Sequence, residues 1–267
     1  MKVPLFGPDH DPGSSFTELL RTVGVDPFAA VEGAPRVDLA PHATTVLALR
    51  FRDGVVMAGD RRATMGHRIS NREMEKVVPA DRHSGVAISG TAGVAMEMIK
   101  LFQLQLEHYE KLDGRPISLE GKANQLSQMV KSNLGAAMQG LAVVPIFAGY
   151  DPLRRTGRLW DFDVTGGRYE EREFVATGSG AGPAATVLKV GYRPNLSVDE
   201  AVVLACRALL EAADVDAATG GPDVLRGIYP VVAAIDAEGW RRIDDAALRG
   251  VFDRLTDEQR ASREVSS

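Results

Sequence analysis

The sequence is poor in cysteine and contains no cluster of metal ligands. A single cysteine, Cys206, is present among 267 residues, so no disulfide can form within the chain. The five histidines never pair at the spacing of metal ligands, and one cysteine cannot complete a zinc cluster. We therefore expect a protein of a reducing compartment that needs neither a metal nor another cofactor.

Long hydrophobic runs and an excess of basic charge are also missing. No apolar segment approaches the roughly 20 residues that span a bilayer, and the first residues lack the continuous apolar core of a signal peptide. The net charge is -5 at pH 7, whereas proteins that bind nucleic acid usually carry a positively charged surface. These absences predict a soluble, cytoplasmic protein without a membrane or nucleic-acid partner.

What the chain does contain is a proline-rich leader followed by alternating apolar segments and turns. Residues 1–43 contain six of the 14 prolines, and proline interrupts helices and strands. From Thr44 the residues become β-branched and apolar, which predicts a β-hairpin over 44–60 with its turn at Asp53 and Gly54. We therefore place a boundary between residues 43 and 44, and expect the leader either to wrap a neighbour or to be removed.

Strands and helices are grouped rather than alternating along the rest of the chain. Further strands are predicted over 84–89, 143–150, 158–163, 169–176, 229–236 and 240–243. Helices are predicted over 95–109 and 118–138, after Gly182, from Ser197 in a capping box with Glu200, and at the charged C-terminal end. This order predicts an α+β fold in which antiparallel sheets are covered by helices.

Two glycine clusters do not fit the common catalytic motifs. Gly178-Ser179-Gly180 lacks the outer glycines of a nucleophile elbow, and Gly90-Thr91-Ala92-Gly93 has no lysine in the Walker position. Taken alone, each cluster is best explained as a turn, in which glycine adopts backbone conformations that other residues avoid.

Six short motifs together resemble the β-type subunits of the proteasome, in their order and spacing over residues 44–235. They are His42-Ala43-Thr44-Thr45-Val46, Ala58-Gly59-Asp60-Arg61-Arg62-Ala63-Thr64, Glu75-Lys76-Val77, Ser89-Gly90-Thr91-Ala92-Gly93, Thr177-Gly178-Ser179-Gly180 and Asp216-Ala217-Ala218-Thr219-Gly220-Gly221. The leader and residues 223–227 resemble the actinobacterial branch. The resemblance implies a four-layer αββα sandwich of two antiparallel sheets, the N-terminal nucleophile hydrolase fold. It also implies a self-cleaved propeptide of residues 1–43 and a catalytic domain of residues 44–267.

The chemistry of an N-terminal threonine explains why this pattern suits a protease. A threonine hydroxyl is a weak nucleophile that needs a nearby base. Cleavage between Ala43 and Thr44 would supply an α-amino group with a pKa of ~7.7–8.0, which can act as that base at neutral pH.

The resemblance also assigns the supporting residues. It implies that Lys76 lies beside the Thr44 hydroxyl and that Asp60 orients Lys76 and keeps it charged. The Gly90 N–H would hold the oxyanion. Ser179, Asp216 and Thr219 would surround the α-amino group.

The resemblance further implies a pocket for the substrate residue before the scissile bond. Its lining would be Ala63, Thr64, Met74, Val78, Ile88, Ala92 and Met96. None of these is charged, and burying an unpaired charge in an apolar pocket costs several kcal/mol. We therefore expect cleavage after hydrophobic residues.

The sequence departs from the family pattern just before the cleavage site, where Ala43 stands in place of the usual glycine. A Cβ excludes the backbone conformations that only glycine adopts, so we expect slower but surviving self-cleavage. Two alternatives stay open: a ring subunit that does not cut, and an N-terminal nucleophile hydrolase of small amides. The implied partners are further β subunits, α-type rings, an unfolding ATPase that acts through those rings, and protein substrates.

Overall fold

The structure is a computed structural model that describes residues 44–65 and 68–265. The leader, including Ala43 at the predicted cleavage site, lies outside the described residues. Among the described residues, no helix is long and apolar enough to cross a membrane.

Two five-stranded antiparallel sheets form the centre of the fold. The strands are β1 Thr45–Phe51, β2 Gly54–Gly59, β3 Ala63–Met65, β4 Arg68–Asn71, β5 Val77–Asp81, β6 Ser84–Gly90, β7 Val143–Asp151, β8 Thr156–Phe162, β9 Arg168–Glu171, β10 Phe174–Gly178, β11 Val231–Asp236 and β12 Gly239–Arg242. The first sheet has the order β10-β1-β2-β11-β12 and the second has the order β5-β6-β7-β8-β9, while β3 and β4 form a separate ribbon. The described strands therefore pair as the predicted hairpins require.

Helices cover the outer faces of both sheets. They are α1 Ala92–Asp113, α2 Leu119–Ser132, α3 Leu134–Ala137, α4 Ala181–Gly191, α5 Val198–Val215 and α6 Asp245–Val265. The predicted capping box opens α5, because the Glu200 N–H donates to Ser197 Oγ at 3.3 Å and the Ser197 N–H donates to Glu200 Oε2 at 2.8 Å.

The side chains of β1 show how the layers are built. Successive residues of a strand point to opposite faces. Leu47 and Leu49 pack toward α4, α5 and α6, whereas Val46 and Ala48 pack between the two sheets. A third apolar cluster joins the second sheet to α1 and α2. Both faces of β1 are buried, which explains its continuous apolar run, and the four layers confirm the predicted α+β sandwich of N-terminal nucleophile hydrolase type.

Two predicted elements were wrong in detail. The helix expected over 118–138 ends at Ser132, and Asn133 separates it from the short helix α3. The strand expected over 169–176 is divided at the exposed residues Arg172 and Glu173. Its first part, β9, stays in the second sheet, and its second part, β10, enters the first sheet beside β1. A local sequence pattern does not show which sheet a strand joins, and this crossover places β10 beside β1.

Candidate active site

Thr44 lies directly before β1, held against the end of β10. The Ser179 N–H donates to the Thr44 carbonyl oxygen at 2.9 Å, and the Thr44 N–H donates to Ser179 Oγ at 3.3 Å. Thr45 pairs with Gly178 in the β1–β10 register. Gly178 has a φ of +105°, and a Cβ there would lie 1.8 Å from the Thr44 carbonyl oxygen. Only glycine permits this close approach, so Gly178 fixes where the main chain of Thr44 can lie.

Asp60 and Lys76 form a buried ion pair across the two sheets. Asp60 follows β2 of the first sheet, and Lys76 precedes β5 of the second. Lys76 Nζ lies 2.7 Å from Asp60 Oδ1, and the two side chains are 1% and 0% exposed. Removing one partner of such a pair leaves an uncompensated buried charge, which is strongly destabilising.

Main-chain donors complete the coordination of the Asp60 carboxylate. The Thr45 N–H donates to Oδ1 at 2.8 Å, and the N–H groups of Arg62 and Gly220 donate to Oδ2 at 2.9 Å each. With Lys76, the carboxylate receives four hydrogen bonds, and they come from separate segments of the chain. Asp60 is therefore held rigidly, and it connects Lys76 to the first residues of β1.

The protonation equilibrium of Lys76 is governed by two opposing effects. Burial is the larger and lowers its pKa below the usual 10.5, while the charge and hydrogen bond of Asp60 raise it. Asp60 thus acts in the predicted direction without fully cancelling the effect of burial. Lys76 Nζ also donates to the Arg62 carbonyl oxygen at 2.5 Å, so its ammonium group is oriented from two sides.

Ser179, Asp216 and Thr219 form a second polar group beside Thr44. Ser179 Oγ donates to Asp216 Oδ2 at 2.5 Å, and Thr219 Oγ1 donates to the same oxygen at 2.6 Å. Burial, the largest single influence, raises the pKa of Asp216, but hydrogen bonds from Ser179, Thr219 and the Ala218 N–H outweigh it and leave this pKa lowered. Asp216 is therefore an ionised acceptor that polarises Ser179, which in turn contacts the Thr44 nitrogen.

Thr45 joins this arrangement, although its sequence context predicts only a strand residue. Its N–H contacts Asp60, and its Oγ1 lies 2.5 Å from Thr219 Oγ1. The only sequence signal was its place in the Thr-Thr pair at the start of β1, and threonine is common in strands for packing reasons.

Gly90 ends β6, and its backbone conformation is specific to glycine. Its φ is +110°, and a Cβ there would lie 2.2 Å from the Ala142 carbonyl oxygen. A side chain is excluded both by this contact and by the positive φ. The next residue, Thr91, precedes α1, so the predicted oxyanion residue lies where a strand turns into a helix.

The seven residues predicted to line the substrate pocket fall into two groups. Met74, Val78, Ile88 and Met96 share the apolar cluster between the second sheet and α1. Ala63 and Thr64 on β3 and Ala92 at the start of α1 are partly exposed. Met74 and Val78 flank Lys76 in the sequence, and Ile88 and Ala92 flank Gly90.

Two cavities in the described part of the chain lie away from these residues. One of about 790 Å³ opens between the β5–β6 turn and the α1–α2 loop, and one of about 760 Å³ lies along α4 and α5. Neither is lined by a predicted site residue, so the site is identified by its chemistry rather than by cavity size. No group of three or more metal-binding side chains occurs within the described ranges.

Comparison with known proteins gives consistent results. A family model described as proteasome subunit matches residues 40–225, a segment that includes all the predicted catalytic residues. The proteasome subunit beta of Acidimicrobium ferrooxidans is 57% identical over 256 residues, covering 94% of this chain and 92% of that relative.

Two further relatives carry the same name. The proteasome subunit beta of Streptomyces griseus is 58% identical over 206 residues, covering 77% of this chain and 73% of that relative. The proteasome subunit beta of Acidothermus cellulolyticus is 50% identical over 256 residues, covering 93% of this chain and 88% of that relative. The similarity therefore extends over nearly the whole chain and is not confined to the six motifs.

Proposed function

Because the chain belongs to the proteasome subunit family, we propose that Thr44 is the nucleophile of a threonine-type peptidase and that hydrolysis before Thr44 activates it. The chain is a β subunit of the proteasome core, in keeping with the relatives named proteasome subunit beta. The observation that supports the assignment of Thr44 best is the buried Asp60–Lys76 pair, whose carboxylate also binds the N–H of the residue after Thr44.

Activation consists of one hydrolysis. Water adds across the Ala43–Thr44 peptide bond, leaving a carboxylate on Ala43 and a free α-amino group on Thr44. While the bond is intact, the Thr44 nitrogen belongs to an amide and cannot accept a proton. The proposed propeptide of residues 1–43 is therefore an inhibitory segment, and the domain of residues 44–267 becomes active only when it is removed.

The proposed reaction proceeds through an ester on Thr44. Thr44 Oγ attacks the carbonyl carbon of the substrate, and its proton passes to the α-amino group, directly or through water. The Gly90 N–H stabilises the oxyanion that forms. The departing amine takes the proton, and water then attacks the ester with the same α-amino group as base. The cleaved chain leaves with a new carboxylate, and Thr44 is restored.

Lys76 and Asp60 support the nucleophile electrostatically. A positive charge near the hydroxyl favours the alkoxide-like oxygen that develops during attack. Asp60 opposes the effect of burial on the Lys76 pKa and so favours the charged form. Ser179, Asp216 and Thr219 are proposed to position the α-amino group, since Ser179 Oγ already accepts from the Thr44 nitrogen.

Substrates and partners follow from the same assignment. The apolar environment of Met74, Val78, Ile88 and Met96 favours an uncharged, hydrophobic residue before the scissile bond. As a proteasome β subunit, the chain assembles into core rings with α subunits. We further propose that an unfolding ATPase delivers protein substrates through the α rings and that the particle acts in the cytoplasm.

The first test is to label the assembled particle with a covalent threonine-directed inhibitor and to map the adduct by mass spectrometry. We expect one adduct on Thr44 at a new N-terminus, despite Ala43 before the cleavage site. A particle that degrades peptides while every copy of the chain keeps its leader would contradict the proposal. An unlabelled ring would indicate a subunit that does not cut, and a small oligomer hydrolysing only small amides would indicate an amidase.

A further inference from the structure

The side chain of Thr45 is fully buried and hydrogen-bonded on two sides. Thr45 Oγ1 lies 2.5 Å from Thr219 Oγ1, and the Gly180 N–H donates to it at 3.0 Å. The exposed fraction of Thr45 is 0%. Its main-chain N–H meanwhile donates to Asp60 Oδ1. One residue therefore contacts both the Asp60–Lys76 pair and the polar group around Asp216.

The direction of each hydrogen bond follows from the chemistry of the partners. The ionised Asp216 carboxylate can only accept, so the Thr219 hydroxyl donates to it at 2.6 Å. A hydroxyl has one proton, and that of Thr219 is used in this bond. The proton shared between Thr45 and Thr219 must then come from Thr45. Thr45 Oγ1 still accepts from the Gly180 N–H, so both functions of its hydroxyl are used.

These bonds form a continuous chain that ends at the Thr44 nitrogen. The Thr45 hydroxyl donates to Thr219, Thr219 and Ser179 both donate to Asp216, and Ser179 Oγ accepts from the Thr44 nitrogen. Hydrogen bonds in such a chain polarise one another and fix the rotamers of the hydroxyl groups. The loss of the first donor would remove one of the two hydrogen bonds that hold the Thr219 hydroxyl in its orientation toward Asp216.

Gly180 provides the space for this pair of hydroxyl groups. A Cβ at Gly180 would lie 2.4 Å from Thr45 Oγ1 and 2.7 Å from Thr219 Oγ1. The Gly180 backbone therefore lies close to both oxygens, and its N–H can donate to Thr45 Oγ1. A methyl group in place of the Thr45 hydroxyl would face the Gly180 N–H without accepting its hydrogen bond, and a buried donor without a partner is costly.

We propose that the Thr45 hydroxyl is a positioning group for the peptidase reaction, acting through Thr219, Asp216 and Ser179 on the α-amino group of Thr44. The inference rests on the proposed function of Thr44. Thr45 does not itself contact the substrate, so its hydroxyl affects turnover rather than substrate binding.

The test compares Thr45→Val, which removes the hydroxyl, with Thr45→Ser, which keeps it, in the assembled particle. Active sites are counted by the covalent inhibitor on Thr44, and kcat is expressed per labelled site. We expect Thr45→Val to lower kcat about tenfold, the effect of one lost hydrogen bond, with KM changed less than about twofold. Thr45→Ser should recover most of the lost turnover.

Two further variants control for packing. Thr45→Ala removes the hydroxyl without placing a methyl group against Gly180, and it should still lower kcat per labelled site. This variant provides the test if Thr45→Val does not assemble. Thr186→Val changes an exposed threonine whose hydroxyl donates only within α4, and should leave kcat unchanged.

Three results would overturn the inference: wild-type turnover per labelled site in Thr45→Val, the same in Thr45→Ala, or equal impairment of Thr45→Ser and Thr45→Val. A wild-type particle that carries no adduct on Thr44 would instead refute the proposed function. The two failures are therefore distinguishable.

Discussion

At the scale of single residues, the site depends on charges that are buried together. Asp60 and Lys76 are almost fully inaccessible to water, and each makes the burial of the other tolerable. Four donors saturate Asp60, so its position does not depend on Lys76 alone. Mutation of the pair can therefore test two separate effects, the proposed electrostatic support of Thr44 and the stability of the fold.

We expect Asp60→Asn to lower both stability and activity, because it leaves the Lys76 ammonium buried without a counter-charge. The destabilisation should be about 3–5 kcal/mol. The double variant Asp60→Asn with Lys76→Met should recover part of this stability but no activity. Thermal or denaturant unfolding and peptide hydrolysis measure the two effects. Equal stability of Asp60→Asn and the wild type would contradict the ion pair.

The same variant should show a characteristic dependence on pH. The pKa of Lys76 is already lowered by burial, and Asp60 is the main group that opposes this effect, so removing Asp60 lowers the pKa further. Between this folded-state pKa and the unfolded value of ~10.4, the unfolded chain binds more protons, and stability therefore rises with pH. The stability deficit of Asp60→Asn should shrink as the pH rises from about 7 toward 10. A constant deficit would argue against a buried lysine charge.

At the scale of elements, the crossover from β9 to β10 builds the site. The chain leaves the second sheet after β9 and adds β10 to the edge of the first sheet, where it pairs with β1. The last residue of β10, Gly178, and the residue that follows it, Ser179, then lie against Thr44. The site thus lies where the start of one strand meets the end of another, and glycine is needed at the contact.

We expect Gly178→Ala to destabilise the protein by at least about 2 kcal/mol and to abolish activity. Its Cβ would collide with the Thr44 carbonyl oxygen at 1.8 Å, and its φ of +105° is strained for any other residue. Gly182→Ala is the matched control, because a Cβ at this position in α4 meets nothing within 4 Å. The control should be neutral or slightly stabilising. Similar melting temperatures for the two variants would contradict the packing described for Gly178.

At the scale of the whole molecule, the proposed substrate pocket draws on several elements. Met74, Val78 and Met96 are partly buried and pack on the cluster that contains Ile88. The pocket therefore requires the second sheet and α1 to be assembled. Its apolar character is a property of the fold rather than of one motif.

A panel of fluorogenic peptides should show cleavage after hydrophobic residues. Met96→Lys should lower kcat/KM for these peptides by about tenfold or more, because a substrate side chain would be buried against a charge. Met138→Lys changes a methionine that is 71% exposed and should leave the preference unchanged. A wild-type preference for basic or acidic residues before the cut would refute the proposed specificity.

Much of this protein could be predicted from its sequence, because chemistry restricts which residues can do certain tasks. The hairpin over β1 and β2, the capping box of α5 and the motifs around Thr44, Asp60 and Lys76 are local patterns of residue type and spacing. Turn residues, strand propensity and caps act over a few positions, so they can be recognised in a single chain. The family resemblance added the order of the motifs, which propensity alone does not give.

Other features were decided only by the tertiary structure. Residues 169–176 are divided between two sheets, and Thr45 contacts Thr219, which lies 174 positions away. The local sequence pattern predicts neither feature. They depend on which segments pack together once the layers have formed. The sequence alone therefore determined which groups are present and most of the elements that carry them. The packing of the two sheets decided which of these groups touch, because burial and hydrogen bonding join residues that are distant along the chain.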